Sequence, residues 1–322
     1  MKKFGKSISW TAAALIFVLF PVTAGGKQQK VNIVATIAQI GQPLSVIAAD
    51  RANIETLISE GVDPHLYRLT RWDVSRLNQA DMIVYNGLNL EAQMVDMLRR
   101  FSAQKPVIGI ANALKDRTIL LQNGKAHDPH VWMDPTLWVV ALSTAVRELA
   151  KIDPPNAQFY KKNAAAYFRR VYDLHDRAKK AIASIPLSSR ALVTAHDAFG
   201  YFGHAYAIDV LAIQGISTES EAGIHQIESL VETLVNRRIE AVFVETTVSE
   251  NNIRALIEGA SAQDHEVRIG GTLYSDAMGR KGTYAGEYLG MFDHNITTII
   301  RALGGSAPLR GFGGQLAQKK GM

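Results

Sequence analysis

The nine histidines of this 322-residue chain are its main chemical resource, because it contains no cysteine. The lack of cysteine excludes disulfides, thiolate zinc fingers, iron–sulfur clusters and cysteine nucleophiles. Any metal must therefore be held by nitrogen and oxygen. Imidazole nitrogens together with a carboxylate oxygen suit a divalent transition ion.

Four short segments place histidine or aspartate where a ligand could be held. They are residues 63–67, 127–135, 196–200 and 274–277. Each lies at or beyond the C-terminal end of a predicted strand, or at the start of a predicted helix, and ligands bind at that edge of open α/β sheets. Pro64 and Pro129 restrict the backbone directly before a histidine, which lowers the entropy lost when the ring is held.

Each of these features has a simpler interpretation. A single histidine is more often a hydrogen-bonded structural residue than a ligand, and Asp63 and Asp128 could serve only as turn starters. His127 is the less favoured of the pair His127 and His130, because Asp and Pro between them rule out a shared helix face. The other five histidines, at positions 175, 204, 225, 265 and 294, lack a comparable context. The chain contains no His-Glu-x-x-His motif, nucleotide-binding glycine loop or Gly-x-Ser-x-Gly elbow,.

Alternating short apolar runs and amphipathic segments predict two α/β lobes, at residues 25–152 and 187–303. In the first lobe we expect strands at 31–36, 53–59, 81–86 and 107–110, with helices at 37–49, 70–79, 88–100 and 135–152. In the second we expect strands at 191–195, 209–214, 241–245 and 267–270, with helices at 198–205, 226–237, 250–259 and 284–303. Strands separated by helices are typical of Rossmann-like units with parallel sheets.

A single long helix is predicted between the lobes, within a linker at 153–186. Seven apolar residues recur there at spacings of three and four and form one stripe: Tyr160, Ala164, Tyr167, Val171, Leu174, Ala178 and Ile182,. A helix over 156–184 would be about 43 Å long at 1.5 Å per residue. A helix of this length could pack against both lobes and limit their hinge motion. The alternative is an ordinary surface helix that belongs to one lobe, but such helices are rarely so long.

The sequence predicts a cleaved signal peptide at one end of the chain and a flexible tail at the other. Lys2, Lys3 and Lys6 precede an apolar run and a small-residue cleavage site, which indicates a secretory signal peptide over 1–24,. Without cysteine, no lipid can be attached near that site, so we expect a soluble protein in the periplasm. The tail at 304–322 is rich in glycine, and we expect it to be flexible.

The charge balance argues against a nucleic-acid partner. The net charge is +5, and removing the three lysines of the signal peptide leaves 5 − 3 = +2. A chain so close to neutral is a poor candidate for binding a phosphate backbone.

The four candidate segments resemble the ligand motifs of the zinc/manganese solute-binding proteins of ABC transporters. The matching segments are 63–67, 128–135, 193–202 and 274–276, with further agreement at 80–91 and 242–246. The resemblance covers the mature chain in order. It implies two α/β lobes joined by one long helix, with a metal between them, and its ligand set maps here onto His65, His130, His196 and Asp276.

The resemblance also implies a function. The protein would be a periplasmic receptor, and not an enzyme, that binds one Zn²⁺ or Mn²⁺ ion (Fe²⁺ ranking third) and delivers it to an ABC permease for uptake. We expect a monomer. Asp134, Asp197 and Glu245 are candidates for orienting the imidazoles.

The choice of metal stays open at this stage. Zinc-specific members often have a histidine-rich loop after the first ligand motif and a cysteine pair, and this chain has neither. Manganese receptors often have glutamate where this chain has His196. Three histidines favour zinc modestly. The alternative function is a secreted metal-dependent hydrolase that uses the same histidines, and it would need an open coordination position for water.

Overall fold

The N-terminal lobe is built on a four-stranded parallel sheet with the order β2-β1-β3-β4. A computed structural model describes residue 1 and residues 30–114, 121–122 and 126–317 of the chain. The strands are β1 (Val31–Ala35), β2 (Ala52–Thr56), β3 (Met82–Tyr85) and β4 (Val107–Gly109). The central strand β1 pairs on both sides, in register with Ala52–Thr56 and with Met82–Val84. Ile33, Val34 and Ala35 of this strand are buried, as expected for a parallel sheet covered by helices,.

Three helices of this lobe connect successive strands of the sheet, and a fourth leads into the linker helix. They are α1 (Ala38–Ala48), α2 (Arg71–Gln79), α3 (Val95–Ser102) and α4 (Pro135–Ile152). Helix α2 begins with a capping box in which Thr70 and Asp73 satisfy each other's backbone N–H groups,. Between α3 and α4, the short strands β5 (Leu121–Gln122) and β6 (Ala126–His127) pair in antiparallel fashion.

The C-terminal lobe repeats the parallel pattern. Strand β7 (Ala191–His196) pairs with β8 (Asp209–Gln214), and β9 (Ala241–Glu245) pairs with β10 (Arg268–Leu273). Strand β7 packs next to β9, and both are buried along their whole length. The helices of this lobe are α6 (Gly200–Tyr206), α7 (Ile224–Arg237), α8 (Asn251–Ser261) and α9 (Tyr288–Ala302). The prediction of two α/β lobes with parallel sheets is thus confirmed.

One long helix, α5 (Ala157–Ile182), runs between the lobes. Its 26 residues span about 39 Å at 1.5 Å per residue,. All seven residues of the predicted apolar stripe are buried. The helix packs against α1 and α4 of the first lobe and against α9 of the second. A single rigid element therefore contacts both lobes, as the sequence predicted, while the limits of the two domains stay predictions.

The C-terminal segment makes hydrogen bonds to α9 and α5. Asp293, fully buried in α9, accepts hydrogen bonds from the backbone N–H groups of Phe312 and Gly313 at 2.7 and 2.8 Å. Arg177 of α5 donates to the carbonyl of Phe312 at 2.7 Å. These contacts fix the chain up to this point, because a buried carboxylate needs donors and this segment supplies them. Residues 318–322, like the predicted signal peptide, lie outside the described residues.

No helix among the described residues has the length and apolar character needed to cross a bilayer.

The stripe on α5 can be tested by truncating its leucine, Leu174. Leu174 is 4% exposed, so Leu174→Ala should lower the free energy of unfolding by about 2–5 kcal/mol through lost burial and the cavity left behind,. Leu187→Ala is the matched control, because that side chain is 81% exposed and its loss should cost less than about 0.5 kcal/mol,. Urea unfolding measures both. Equal losses in the two variants would show that α5 does not depend on this packing.

Candidate metal centre

The four side chains expected at the metal site meet in one buried cluster. His130 Nε2 lies 3.2 Å from His65 Nε2 and 3.2 Å from Asp276 Oδ1. Asp276 Oδ2 lies 3.1 Å from His196 Nε2 and 3.7 Å from His65 Nε2. All four candidate ligand atoms lie within 4.8 Å of one another, and each residue is buried. The structure thus brings together every residue of the predicted set.

Strand ends and turns position these side chains. His196 is the last residue of β7, and Asp276 follows β10 in the loop that leads towards α9. His65 lies in the loop after β2, and His130 directly precedes the turn Val131–Met133 that leads into α4. Because the carboxyl ends of parallel strands meet at one edge of a sheet, residues distant in sequence converge there.

The two Asp-Pro-His segments form the same local turn. Asp63 Oδ1 accepts the backbone N–H of His65 at 2.8 Å, and Asp128 Oδ1 accepts the backbone N–H of His130 at 2.9 Å. An aspartate that accepts from the residue two positions on is a typical Asx turn, and the intervening proline presets φ. Each turn holds its histidine before any ligand arrives.

Carboxylates orient two of the imidazole rings. Asp128 Oδ1 lies 2.8 Å from His130 Nδ1, and Glu245 Oε2 lies 2.6 Å from His196 Nδ1. With Nδ1 engaged, each ring presents Nε2 to the cluster. Glu245 thus contacts one of the imidazoles, the kind of role for which the sequence made it a candidate. For Asp128 the sequence indicated only a possible turn starter, although its position two residues before His130 was a signal for this contact.

The other two candidates for orienting the imidazoles have different surroundings. The Asp134 carboxylate accepts from the backbone N–H groups of Thr136 and Leu137 and so caps α4. Capping by aspartate satisfies N–H groups that a helix leaves free at its start. Asp197 is half-buried, and within the described ranges its carboxylate makes no hydrogen bond to an imidazole. Within the described residues neither carboxylate hydrogen-bonds an imidazole of the cluster, because proximity in the chain does not fix side-chain direction.

Buried hydrogen bonds join the two lobes around the cluster. Gln39 Nε2 of α1 donates to the backbone carbonyl of Asp276 at 2.8 Å. The Trp132 indole donates to the carbonyl of Ser275 at 2.9 Å, and the Tyr201 hydroxyl donates to the carbonyl of Asp128 at 2.8 Å. These bonds set the positions of the ligand loops relative to one another. Sequence reasoning missed all three donors, because their partners are 73 to 237 residues away.

Burial and charge pull the pKa values of the cluster in opposite directions. Desolvation lowers the pKa of His65 to about 4. Burial alone would also lower the pKa of His130, but the Asp276 charge and the hydrogen bond to Asp128 raise it to about 9. The pKa of His196 is raised well above its usual value, since the charges of Glu245 and Asp276 outweigh burial. In turn the imidazolium charges hold the pKa of Asp276 well below its usual range, against the effect of burial.

Several ligand atoms have no good hydrogen-bond partner. His196 Nε2 and both carboxylate oxygens of Asp276 are buried without a well-formed hydrogen bond to any described residue. Leaving such atoms unpaired costs about 1–3 kcal/mol each, or more when the group is charged. A cation placed among them would satisfy all of them, so the donor set fits a divalent transition ion.

An open cavity of about 570 Å³ adjoins the cluster on the His65 side. Its walls include Gly87 and Pro129 of the first lobe and Glu219 of the second. His127 lines this cavity with a half-buried ring and is not part of the four-residue cluster. The structure therefore separates His127 from His130, as the sequence indicated.

Comparisons with known proteins agree with this arrangement. Residues 33–302 match the model of the family described as zinc-uptake complex component A, periplasmic. The manganese-binding lipoprotein MntA of Bacillus subtilis is 42% identical over 299 residues, which cover 90% of this chain and 98% of that protein. The zinc-binding protein TroA of Treponema pallidum is 38% identical and is matched over 84% of this chain and 88% of its own length. The solved structure of the periplasmic zinc-binding protein TroA superposes with a TM-score of 0.84 at 37% identity, covering 85% of this chain and 99% of that one.

The pKa shifts predict how the stability of the metal-free protein depends on pH. The pKa of His130 is raised from 6.5 to about 9, so its stabilising contribution is complete below pH 6.5 and is lost as pH rises through 9,. His65 has a lowered pKa and acts in the opposite sense, costing stability as pH falls from 6.5 towards 4. With chelator present, the free energy of unfolding should therefore fall by roughly 3 kcal/mol between pH 6.5 and 9 from His130 alone.

Asp276→Asn should flatten this decline, because it removes the charge that raises the pKa of His130. Asp96→Asn, on the exposed face of α3, is the matched control and should keep the decline. Urea titrations at several pH values measure how the free energy of unfolding of each variant changes with pH. A slope that is the same in Asp276→Asn as in the unchanged protein would contradict the assigned coupling.

Proposed function

Because this chain belongs to the zinc-uptake complex component A family, we propose that its cluster binds one divalent transition ion as cargo. The protein is a metal-binding substrate-binding protein of ABC transport and not an enzyme. The proposed ligands are the Nε2 atoms of His65, His130 and His196 and the carboxylate of Asp276. Two ligands come from each lobe, so a bound ion would cross-link the lobes.

The observation that carries this proposal is the convergence of four buried ligand atoms within 4.8 Å. A cluster that served only stability would be expected to pair its polar atoms, since unpaired buried groups are costly. Here Asp276 and His196 direct unpaired atoms at a common centre. Binding an ion there would replace weak contacts with coordinate bonds, and it would displace the protons held by His130 and His196.

The charges around the centre suit a dication. With neutral imidazoles, an ion of charge +2 meets the carboxylates of Asp276, Asp128 and Glu245, which gives a net charge of 2 − 3 = −1. The last two carboxylates also accept from the ligand rings, and this makes the Nε2 atoms better donors to a metal,. We expect each of them to strengthen binding without touching the ion.

Zinc is the favoured metal of this proposal, followed by manganese. Three nitrogens and one oxygen form a borderline donor set, and zinc binds such sites more tightly than manganese or ferrous iron. The similar proteins are named for both zinc and manganese, and one solved relative holds Fe(III) at 26% identity. Competition between Zn²⁺ and Mn²⁺ at matched free concentrations ranks them for this protein.

We further propose that the mature protein is a soluble monomer in the periplasm that delivers its ion to an ABC permease. The family description places its members in the periplasm, and several relatives are named as ABC transporter substrate-binding lipoproteins. This chain has no cysteine to which such a lipid could be attached. Cleavage after the predicted signal peptide of residues 1–24 would release it. Fractionation with mass spectrometry of the mature N-terminus tests this location.

The hydrolase alternative is not supported. The matched family and the similar proteins bind metals for transport. A catalytic zinc usually keeps three protein ligands and one open position for water. The cluster here offers four protein ligands, which would fill a tetrahedral shell.

Loss of one ligand gives the direct test of the cluster. His65→Ala should weaken Zn²⁺ binding by at least roughly 100-fold, because removing one of four coordinate bonds forfeits several kcal/mol. His225→Ala is the matched control, since that ring is fully exposed on α7. Titration calorimetry with a competing chelator measures affinity and stoichiometry. Unchanged affinity in His65→Ala would remove His65 from the ligand set.

Release must involve a movement, because the ligands are buried. At the open cavity, the loop after β8 is fastened to the first lobe: Thr218 donates to Asp63 at 2.5 Å, and Gln93 donates to Glu219 at 2.6 Å. Asp63 is also the acceptor that holds the His65 backbone. Breaking the Thr218 contact would free the loop beside His65 while leaving the buried inter-lobe bonds intact.

Thr218→Val should therefore speed metal release by roughly 2- to 10-fold, the range expected for one lost hydrogen bond. Thr218→Ser keeps the hydroxyl and should restore the original rate. Thr233→Val is the control, because that hydroxyl bonds only within the exposed face of α7. Stopped-flow transfer of Zn²⁺ to a chromogenic chelator measures the rate. Identical rates in Thr218→Val and the unchanged protein would exclude this loop as the release route.

A further inference from the structure

The turn after β3 has an unusual backbone beside the metal centre. Gly87, Leu88 and Asn89 have successive φ values of +89°, +53° and +69°. The left-handed region suits glycine, but it costs a leucine or asparagine on the order of 1 kcal/mol. Gly87, Leu88 and Asn89 also line the cavity that adjoins His65. Such a turn persists only where its surroundings hold it.

Hydrogen bonds to Glu91 stabilise this turn. Its Oε1 accepts from the backbone N–H of Asn86 and from the Thr36 hydroxyl, each at 2.7 Å, and its Oε2 accepts from the backbone N–H of Gly87 at 3.1 Å. The carboxylate is 2% exposed. Burial raises its pKa, and the hydrogen bonds oppose that rise. Since all three partners donate, the geometry matches the ionised acid.

Asn86 connects this turn to a metal ligand. Its side chain is fully buried, and Nδ2 donates to the carbonyl of Gly87 at 3.0 Å and to the carbonyl of Pro129 at 2.9 Å. Pro129 directly precedes His130, and its carbonyl also accepts from Val131 N at 2.8 Å. The direction of that carbonyl fixes the plane of the peptide bond between Pro129 and His130. It thereby sets the position of the His130 backbone.

We propose that Asn86 and Glu91 are positioning residues of the metal centre. Glu91 holds the left-handed turn, the turn holds the Asn86 amide, and the amide holds the peptide between Pro129 and His130. The inference rests on the proposed function, because it assigns these residues to the geometry of the His130 ligand. It also gives a role to residues 86–91, which adjoin the metal cluster without belonging to it.

A purely structural role for the same network makes a different prediction. If Asn86 and Glu91 only stabilise the first lobe, their variants would lower the free energy of unfolding but bind metal with normal affinity and geometry once folded. A positioning role requires a change at the metal itself in protein that is still folded. The readout must therefore report on coordination, and Co²⁺ serves as the probe because its visible absorption bands depend on ligand geometry.

Asn86→Asp isolates the amide donor at nearly constant shape. In this variant an aspartate oxygen would face the Pro129 carbonyl oxygen. Both atoms are acceptors, so the hydrogen bond is lost and the two oxygens repel each other. The added negative charge would, by itself, strengthen binding of a cation. A loss of affinity would therefore report displaced geometry and not charge. Asn89→Asp is the matched control, because it adds the same charge on the same turn from an exposed side chain and aspartate tolerates a left-handed φ,.

We expect Asn86→Asp to bind Co²⁺ and Zn²⁺ about 10-fold more weakly than the unchanged protein, with altered Co²⁺ bands. Asn89→Asp should keep the spectrum of the unchanged protein and bind at least as tightly, because it adds the charge without removing the Asn86 donor. Glu91→Gln should shift the Co²⁺ bands in the same direction, because its amide N–H₂ would face the N–H of Gly87. If Asn86→Asp does not fold, the Co²⁺ spectrum of Glu91→Gln tests the positioning role instead.

The possible outcomes distinguish a failure of the proposed function from a failure of the positioning role. If the unchanged protein takes up no Co²⁺ or Zn²⁺, the proposed function fails. If it binds one equivalent, and folded Asn86→Asp or Glu91→Gln gives the same affinity and spectrum, the positioning role is wrong and the network is structural. Weaker binding with shifted bands in Asn86→Asp, together with neither a loss of affinity nor a band shift in Asn89→Asp, supports the positioning role.

Discussion

The Asp276 carboxylate is the contact on which the rest of the site depends. It faces three imidazoles from a fully buried position, and its oxygens have no hydrogen bond of good geometry from the described residues. Without a metal, only imidazolium protons can compensate this charge, and the pKa of His130 rises accordingly. A divalent ion would compensate it better, since it can approach all four ligand atoms at once. The same carboxylate raises the pKa of His130 and His196 and, under the proposed function, would bind the cation.

The fold surrounds this charge with acceptors and rigid supports. Asp128 and Glu245 each engage the Nδ1 atom of one ring, so the Nε2 atoms face inward. Buried bonds from Gln39, Trp132 and Tyr201 fix the backbone on both sides of the cluster. Because these bonds cross between the lobes, the ligands are held in place by the whole molecule. An arrangement of this kind pays little entropy on binding, which favours tight capture.

Helix α5 limits how that capture can be reversed. It packs against α1, α4 and α9, so wide rotation of one lobe against the other would separate its buried stripe from part of the core. The contacts at the cavity mouth, between Thr218 and Asp63, are less buried and involve a single loop. Local movement there costs less than a domain hinge, because it exposes little apolar surface. The architecture therefore favours small loop motions during loading and release.

Short-range sequence patterns specified most of the helices and strands and indicated the segments that carry the candidate ligands. The three-and-four spacing from Tyr160 to Ile182 specified the buried stripe of α5, and the Asp-Pro-His turns before His65 and His130 are encoded in adjacent residues. The lack of cysteine limited the donors to nitrogen and oxygen. For the full set of four ligands, the resemblance to a known family was also needed.

Only the tertiary structure decided which polar groups serve those ligands. Asp128 orients a ring while Asp134 caps a helix, although both carboxylates lie near His130 in the chain. Residues 312–313 donate hydrogen bonds to Asp293, a contact that composition does not indicate. The Asn86 bond to Pro129 spans 43 residues. Such contacts depend on side-chain directions and on partners brought close by folding, and no local pattern specifies these.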